Sequence, residues 1–153
     1  MRAVRAAALF NEASNSIVQG LAINNFSRDG ILVLGDLGVR IRGNYIGTDK
    51  DGTDNLTNDD MGNDDGGVSI DRSAKNTIGG SAVGQGNVIS NGDSGGVFIG
   101  RSTGNKVLGN RIGTDRTGTK NLGNLGDGVF VQDASNTTIG DGRRVQHHSL
   151  QRP

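Results

Sequence analysis

The chain has no cysteine and no tryptophan, and only one proline, one tyrosine and four phenylalanines in 153 residues. Without cysteine there is no disulfide, no thiolate metal site and no cysteine nucleophile. Aromatics are 3% and hydrophobics 32% of the chain, so a bulky globular core is not expected. Glu12 is the only glutamate, which makes the acids almost all aspartate. Aspartate favours turns where glutamate favours helices, so the chain reads as turn-dense with little helix. Formal net charge is zero, which gives a nucleic-acid partner no electrostatic footprint. No apolar run approaches the roughly 20 residues that span a bilayer, so membrane insertion is not expected. Arg2 and Arg5 precede a short apolar patch ending at Phe10. That patch is too short for a signal-peptide core, and no signal peptide is read in this frame. Serine nucleophile elbows, phosphate loops and dinucleotide fingerprints are also missing.

What the chain has in abundance is glycine, 27 residues of it. One stretch occurs twice, Gly43 to Thr53 and Gly109 to Thr119, at an offset of 66 residues. The same offset relates Ile31 to Val97, Ile41 to Val107 and Ile46 to Ile112, which marks an internal repeat. Apolar residues alternate in short pairs fenced by Gly, Asn or Asp: Ile31/Val33, Val39/Ile41, Val68/Ile70, Val97/Ile99 and Val129/Val131. Period two means strands. Single anchors lie between the pairs at Ile23, Ile46, Ile78, Ile89, Val107, Ile112 and Ile139. Spacings of ten, five and eight residues recur between anchors, giving a coil of about 23 residues with three short strands. Such a unit stacks only on its neighbours. Stacked coils superpose Asn44, Asn87 and Asn110, which follow Gly43, Gly86 and Gly109. Both Gly and Asn tolerate positive φ at a bend, and the stacked amides are expected to form a structural hydrogen-bonded ladder.

The strings Asn-x-Ile-Gly-Thr-Asp-x-x-Gly-Thr (44–53 and 110–119), Asn-Thr-Ile-Gly-Gly (76–80) and Gly-Asn-Val-Ile-Ser-Asn (86–91) resemble those of right-handed parallel β-helix repeat proteins with the pectin-lyase-like fold. The resemblance runs from about Asn15 to Gly142 and speaks to fold more than to activity. It implies an all-β, single-stranded, right-handed parallel β-helix, here of about four coils, the hand that the crossover rule favours. It implies domain bounds of an incomplete N-terminal segment at 1–14, the β-helix at 15–142 and an aberrant, disordered tail at 143–153. Longer members of such families have many more coils, so a piece of a larger bacterial surface or secreted protein is expected.

Chemistry is sparser. Asp49, Asp51, Asp54, Asp59, Asp60, Asp64 and Asp65 crowd one insertion, and hard carboxylate oxygens suit calcium. Asp49, Asp51 and Asp54 are the candidate calcium ligands, although the second copy has Thr117 and Lys120 where Asp51 and Asp54 stand. A structural turn with a solvated loop is the competing reading; no other cofactor is expected. Polysaccharide lyases and hydrolases of the resembled fold use clustered Asp on the outer face of the first strand. The matching outward positions here are Leu32, Ser69, Phe98 and Phe130, with Asp71 just beyond. One carboxylate does not make the pair that glycoside hydrolysis needs. Phe98 and Phe130 are expected to stack on adjacent coils about 5 Å apart, either open to a sugar or partner surface or covered by the 121–127 turn. His147 and His148 lie in the aberrant tail and point opposite ways along any strand. The expectation is therefore a non-catalytic, structural or adhesive repeat module, extracellular or on the cell surface, contacting carbohydrate or a cell-surface protein. The alternative is a fragment of a polysaccharide lyase or glycoside hydrolase.

Overall fold

The computed structural model describes residues 7–35, 37–53 and 63–140. Within them every regular element is a strand, and every strand lies in one of three parallel sheets. Strands are labelled in chain order. The first sheet holds β1 (Leu9–Asn11), β4 (Ile31–Leu34), β7 (Val68–Asp71), β10 (Gly95–Gly100) and β13 (Asp127–Gln132). The second holds β2 (Ile17–Gln19), β5 (Arg40–Arg42), β8 (Thr77–Gly79), β11 (Lys106–Leu108) and β14 (Thr138–Ile139). The third holds β3 (Ala22–Ile23), β6 (Tyr45–Ile46), β9 (Val88–Ile89) and β12 (Arg111–Ile112). The chain visits the three sheets in rotation and pairs each strand with the one three elements later, an arrangement consistent with a β-solenoid.

Register follows the aliphatic pattern. Ile31 pairs with Val68, Val68 with Val97, and Val97 with Val129. The 66-residue offset of the sequence therefore spans two returns to the same sheet, not one. A one-residue slip would turn each aliphatic pair outward, so burial of one face pins the register. The inward residues form one continuous core that includes Ile31, Ile41, Ile46, Ile70, Ile78, Ile89 and Ile99, all essentially inaccessible. β-branched side chains suit this narrow interior because they are stiff at χ1 and pack on a pleated surface.

Strand β1 lies inside the stretch 1–14 that the sequence pattern sets apart, yet it pairs in register with β4, Leu9 against Ile31 and Asn11 against Val33. Residues 1–6 and the tail from 141, with His147 and His148, lie outside the described residues.

The corners differ from expectation in one respect. At the Gly-Asn corners the left-handed conformation falls on Gly43 (φ 62) and Gly109 (φ 60), while neither Gly86 nor any of the three asparagines adopts it. The asparagines are instead needed inside, facing the stack. The corner after the first sheet carries left-handed residues in pairs three apart: Gly35 and Gly38, Arg72 and Lys75, Arg101 and Gly104, Asp133 and Asn136. For arginine and lysine this conformation costs roughly 1–2 kcal/mol each.

Candidate functional site

The asparagines predicted to stack do so. Asn44 Nδ2 donates to Asn87 Oδ1 at 3.0 Å, and Asn87 Nδ2 donates to Asn110 Oδ1 at 2.8 Å. Each acceptor oxygen also takes a backbone N–H, from Asn44 at 3.0 Å and from Asn87 at 2.9 Å. The amide groups further donate inward to the carbonyls of Val18, Ile41 and Ile78. The ladder thus satisfies backbone groups that the corners would otherwise orphan. A second ladder, not anticipated from the sequence, stands at the entry to the second sheet. Asn76 Nδ2 donates to Asn105 Oδ1 at 3.0 Å, and Asn76 Oδ1 accepts the Val39 N–H at 2.9 Å. Its signal in the sequence was the recurrence of Asn two residues before Ile78 and Val107.

Asp49 and Asp51 meet different partners. Asp49 Oδ1 accepts the Thr53 N–H at 2.7 Å and Oδ2 accepts the Thr53 hydroxyl at 2.9 Å. Asp51 pairs with exposed Lys50 at 2.7 Å. Asp54 lies outside the described residues, and among the described residues no three acidic or histidine side chains are grouped to hold a metal. The second copy of the loop is built likewise. Asp115 accepts hydrogen bonds from the Thr117 hydroxyl and from the Thr119 and Lys120 N–H groups. Burial pushes its carboxyl up, but the Thr117 hydroxyl and these N–H groups outweigh burial and hold it at about 2. The two copies touch, the Arg116 N–H donating to Gly52 O at 2.7 Å. Their common sequence serves a turn closed on its own aspartate.

Asp71 is held by arginine from two directions. Arg101 on the next turn donates Nε to Oδ1 at 2.8 Å and Nη2 to Oδ2, and Arg72 Nε approaches Oδ2 at 3.3 Å. The Arg101 bond, joined by the charges of both arginines, holds the Asp71 carboxyl below its ordinary value despite desolvation. Its neighbours on either side in the sheet are Leu34 and Gly100.

The aromatic pair is present. Phe98 pairs with Phe130 across β10 and β13, with ring centroids 5.8 Å apart and planes tilted by 40°. A Cβ on Gly100 would lie 2.6 Å from the Phe98 ring, so Gly100 makes the floor on which that ring rests. The 121–127 turn leaves Phe130 open, and Phe98 is half-buried. Leu122 is buried, Asn124 Oδ1 accepts the Gly92 N–H, and Phe130 remains 48% exposed.

Beside the rings runs a groove of about 340 Å³ at the start of the first sheet, within the roughly 300–1,000 Å³ of small-molecule clefts. Phe98 and Phe130 line it together with Ser69, Asp29, Asp65 and Asp127. Asp29 is 8% exposed and accepts the Ser69 hydroxyl at 2.5 Å. Burial, reinforced by the charge of Asp65, pushes the Asp29 carboxyl up despite that hydrogen bond and nearby Arg28. Arg28 Nε lies 3.2 Å from Asp65 Oδ2 on the exposed side. The sequence pattern assigns Asp65 to the acidic insertion; the fold brings it to the groove. Its signal was an aspartate one or two residues ahead of the glycine that opens a first strand: Asp29-Gly30, Asp65-Gly66-Gly67 and Asp127-Gly128.

No family model matches the chain, and neither a curated protein nor a solved structure matches it.

Proposed function

We propose that the chain is a right-handed, single-stranded parallel β-helix of about four coils, of the pectin-lyase-like kind, working as a non-catalytic repeat module of a bacterial surface or secreted protein. In this reading it contacts carbohydrate through the groove beside Phe98 and Phe130. The single observation that carries it is that this aromatic pair, with Phe130 48% exposed, lines a groove beside the first sheet. Aromatic faces present apolar area to the C–H face of a sugar ring while neighbouring polar groups take its hydroxyls. The rotation of the chain through three parallel sheets supports the architecture, and the near-universal hand of parallel crossovers supports the handedness.

The enzymatic alternative is favoured by one observation. Asp29, whose carboxyl is pushed up by burial, shares the groove with Asp65 and Asp127, a pattern suited to acid/base work. Both readings meet in one experiment: binding to a polysaccharide panel with product release followed in parallel. The module reading expects retention without products, and Phe98→Ala or Phe130→Ala weakening retention about fivefold to tenfold. Unsaturated or reducing-end products lost in Asp29→Asn would replace it with the enzyme reading.

A further inference from the structure

The charge lining the groove is of one sign. Asp29, Asp65 and Asp127 line it, and among the described residues no lysine or arginine does. Arg28 pairs with Asp65 at 3.2 Å, and its charge also reaches Asp29. Asp127 is exposed at the start of β13, three residues ahead of Phe130 on the same strand. A ligand ring stacked on Phe98 and Phe130 would therefore carry its substituents toward carboxylates.

Resting on the carbohydrate reading above, we infer that the groove selects amino sugars: it takes a cationic, glucosamine-type oligosaccharide in preference to a neutral or a uronic one. Three physical effects act in the same direction. An ammonium group on the stacked ring makes charge-assisted hydrogen bonds to Asp127 or Asp65, stronger than those of a hydroxyl. The same ammonium over a phenyl face gains cation–π attraction. A uronate would place its carboxylate among three others with no cation lining the groove to receive it, which repels rather than binds. An N-acetylated sugar keeps the stacking and loses both ionic contributions. The expected preference for the free amine over its acetylated counterpart is about tenfold at low salt, and it shrinks as salt screens the exposed carboxylates.

The test is calorimetric titration of the full chain with three oligosaccharides of equal length: deacetylated chitosan, its N-acetylated counterpart and oligogalacturonate. The titration is run at about pH 5, where the sugar amines are cationic and an ordinary aspartate, at about 3.9, is still ionised. Chitosan is expected to bind most tightly and oligogalacturonate least. In an Asp65→Asn, Asp127→Asn double variant the preference for chitosan over its acetylated form should fall to near unity, while Phe130→Ala should weaken both ligands together. Circular dichroism of each variant confirms that it folds. Equal binding of chitosan and its acetylated form, or tighter binding of the uronate, overturns the charge selection and leaves the carbohydrate reading standing. A preference that survives in the double variant overturns the assignment to this groove. Binding of none of the three to the unaltered chain overturns both readings.

Discussion

Replacing Asn87 by alanine removes the middle rung of the corner ladder. The side chain makes four hydrogen bonds: it accepts from the Asn44 N–H and Asn44 Nδ2, and donates to Ile41 O and Asn110 Oδ1. The consequences are unequal. Asn44 Nδ2 keeps Val18 O, and Asn110 Oδ1 keeps the Asn87 N–H. The Asn44 N–H loses the side-chain acceptor that faces it, at a position that is fully buried. An orphaned buried donor costs about 1–3 kcal/mol, and each of the other lost bonds about 0.5–1.5 kcal/mol net. The expected loss is therefore at least about 2.5 kcal/mol, a large share of the roughly 5–15 kcal/mol of a typical domain. Urea unfolding followed by far-ultraviolet circular dichroism measures it, since the chain has one tyrosine and no tryptophan. Asn110→Ala at the less buried end rung should cost less. Asn87→Asp, isosteric but with an acceptor facing Ile41 O and Asn110 Oδ1, should cost at least as much as alanine. An Asn87→Ala loss below about 1 kcal/mol at unchanged denaturant slope would refute the view that the ladder stabilises the corners.

Two further predictions concern the turns. Asp115 has its folded-state carboxyl held near 2, below the ordinary 3.8, so its stabilising contribution is present in full above about pH 3.8 and disappears as pH falls through about 2; Asp115→Asn should lose about 1 kcal/mol at neutral pH and match the parent in strong acid, read from melts across pH. Lys75 sits in the left-handed region (φ 58) and makes no ion pair among the described residues, so Lys75→Gly should raise stability by about 0.5–1 kcal/mol. Arg101→Gly relieves the same strain but frees Asp71 from its bidentate partner, and should not stabilise; denaturant midpoints compare the two.

Much of the fold was legible because a period of two and the Gly-Asn corners act locally. The pairing of Val68 with Val97, of Val97 with Val129, and of Phe98 with Phe130, follows from aligning like stretches of the chain. Strand β1 was not legible: Leu9-Phe10-Asn11 has no glycine fence, and its pairing to β4 is set by the sheet it extends. The groove role of Asp65 was not legible, because charge density along the chain groups it with the rest of the acidic insertion. In the fold Asp49 accepts hydrogen bonds from Thr53, while Asp65 lines the groove. The role of Asp71 was half legible. Its position opposite Gly100 follows from register, whereas the reach of Arg101 depends on a left-handed corner residue that only glycine or asparagine would have advertised.

The central claim is that chain segments far apart in sequence lie side by side, parallel and in one register around an aliphatic interior. Methyl-labelled valine and isoleucine give the direct test. Nuclear Overhauser contacts between Val68 and Val97 and between Val97 and Val129, whose strands should lie roughly 4.8 Å apart, together with Ile31 to Val68, are what the account predicts. Contacts confined to residues near in sequence, or an antiparallel pattern such as Val68 to Ile99 with Ile70 to Val97 and no Val68 to Val97 contact, would contradict it.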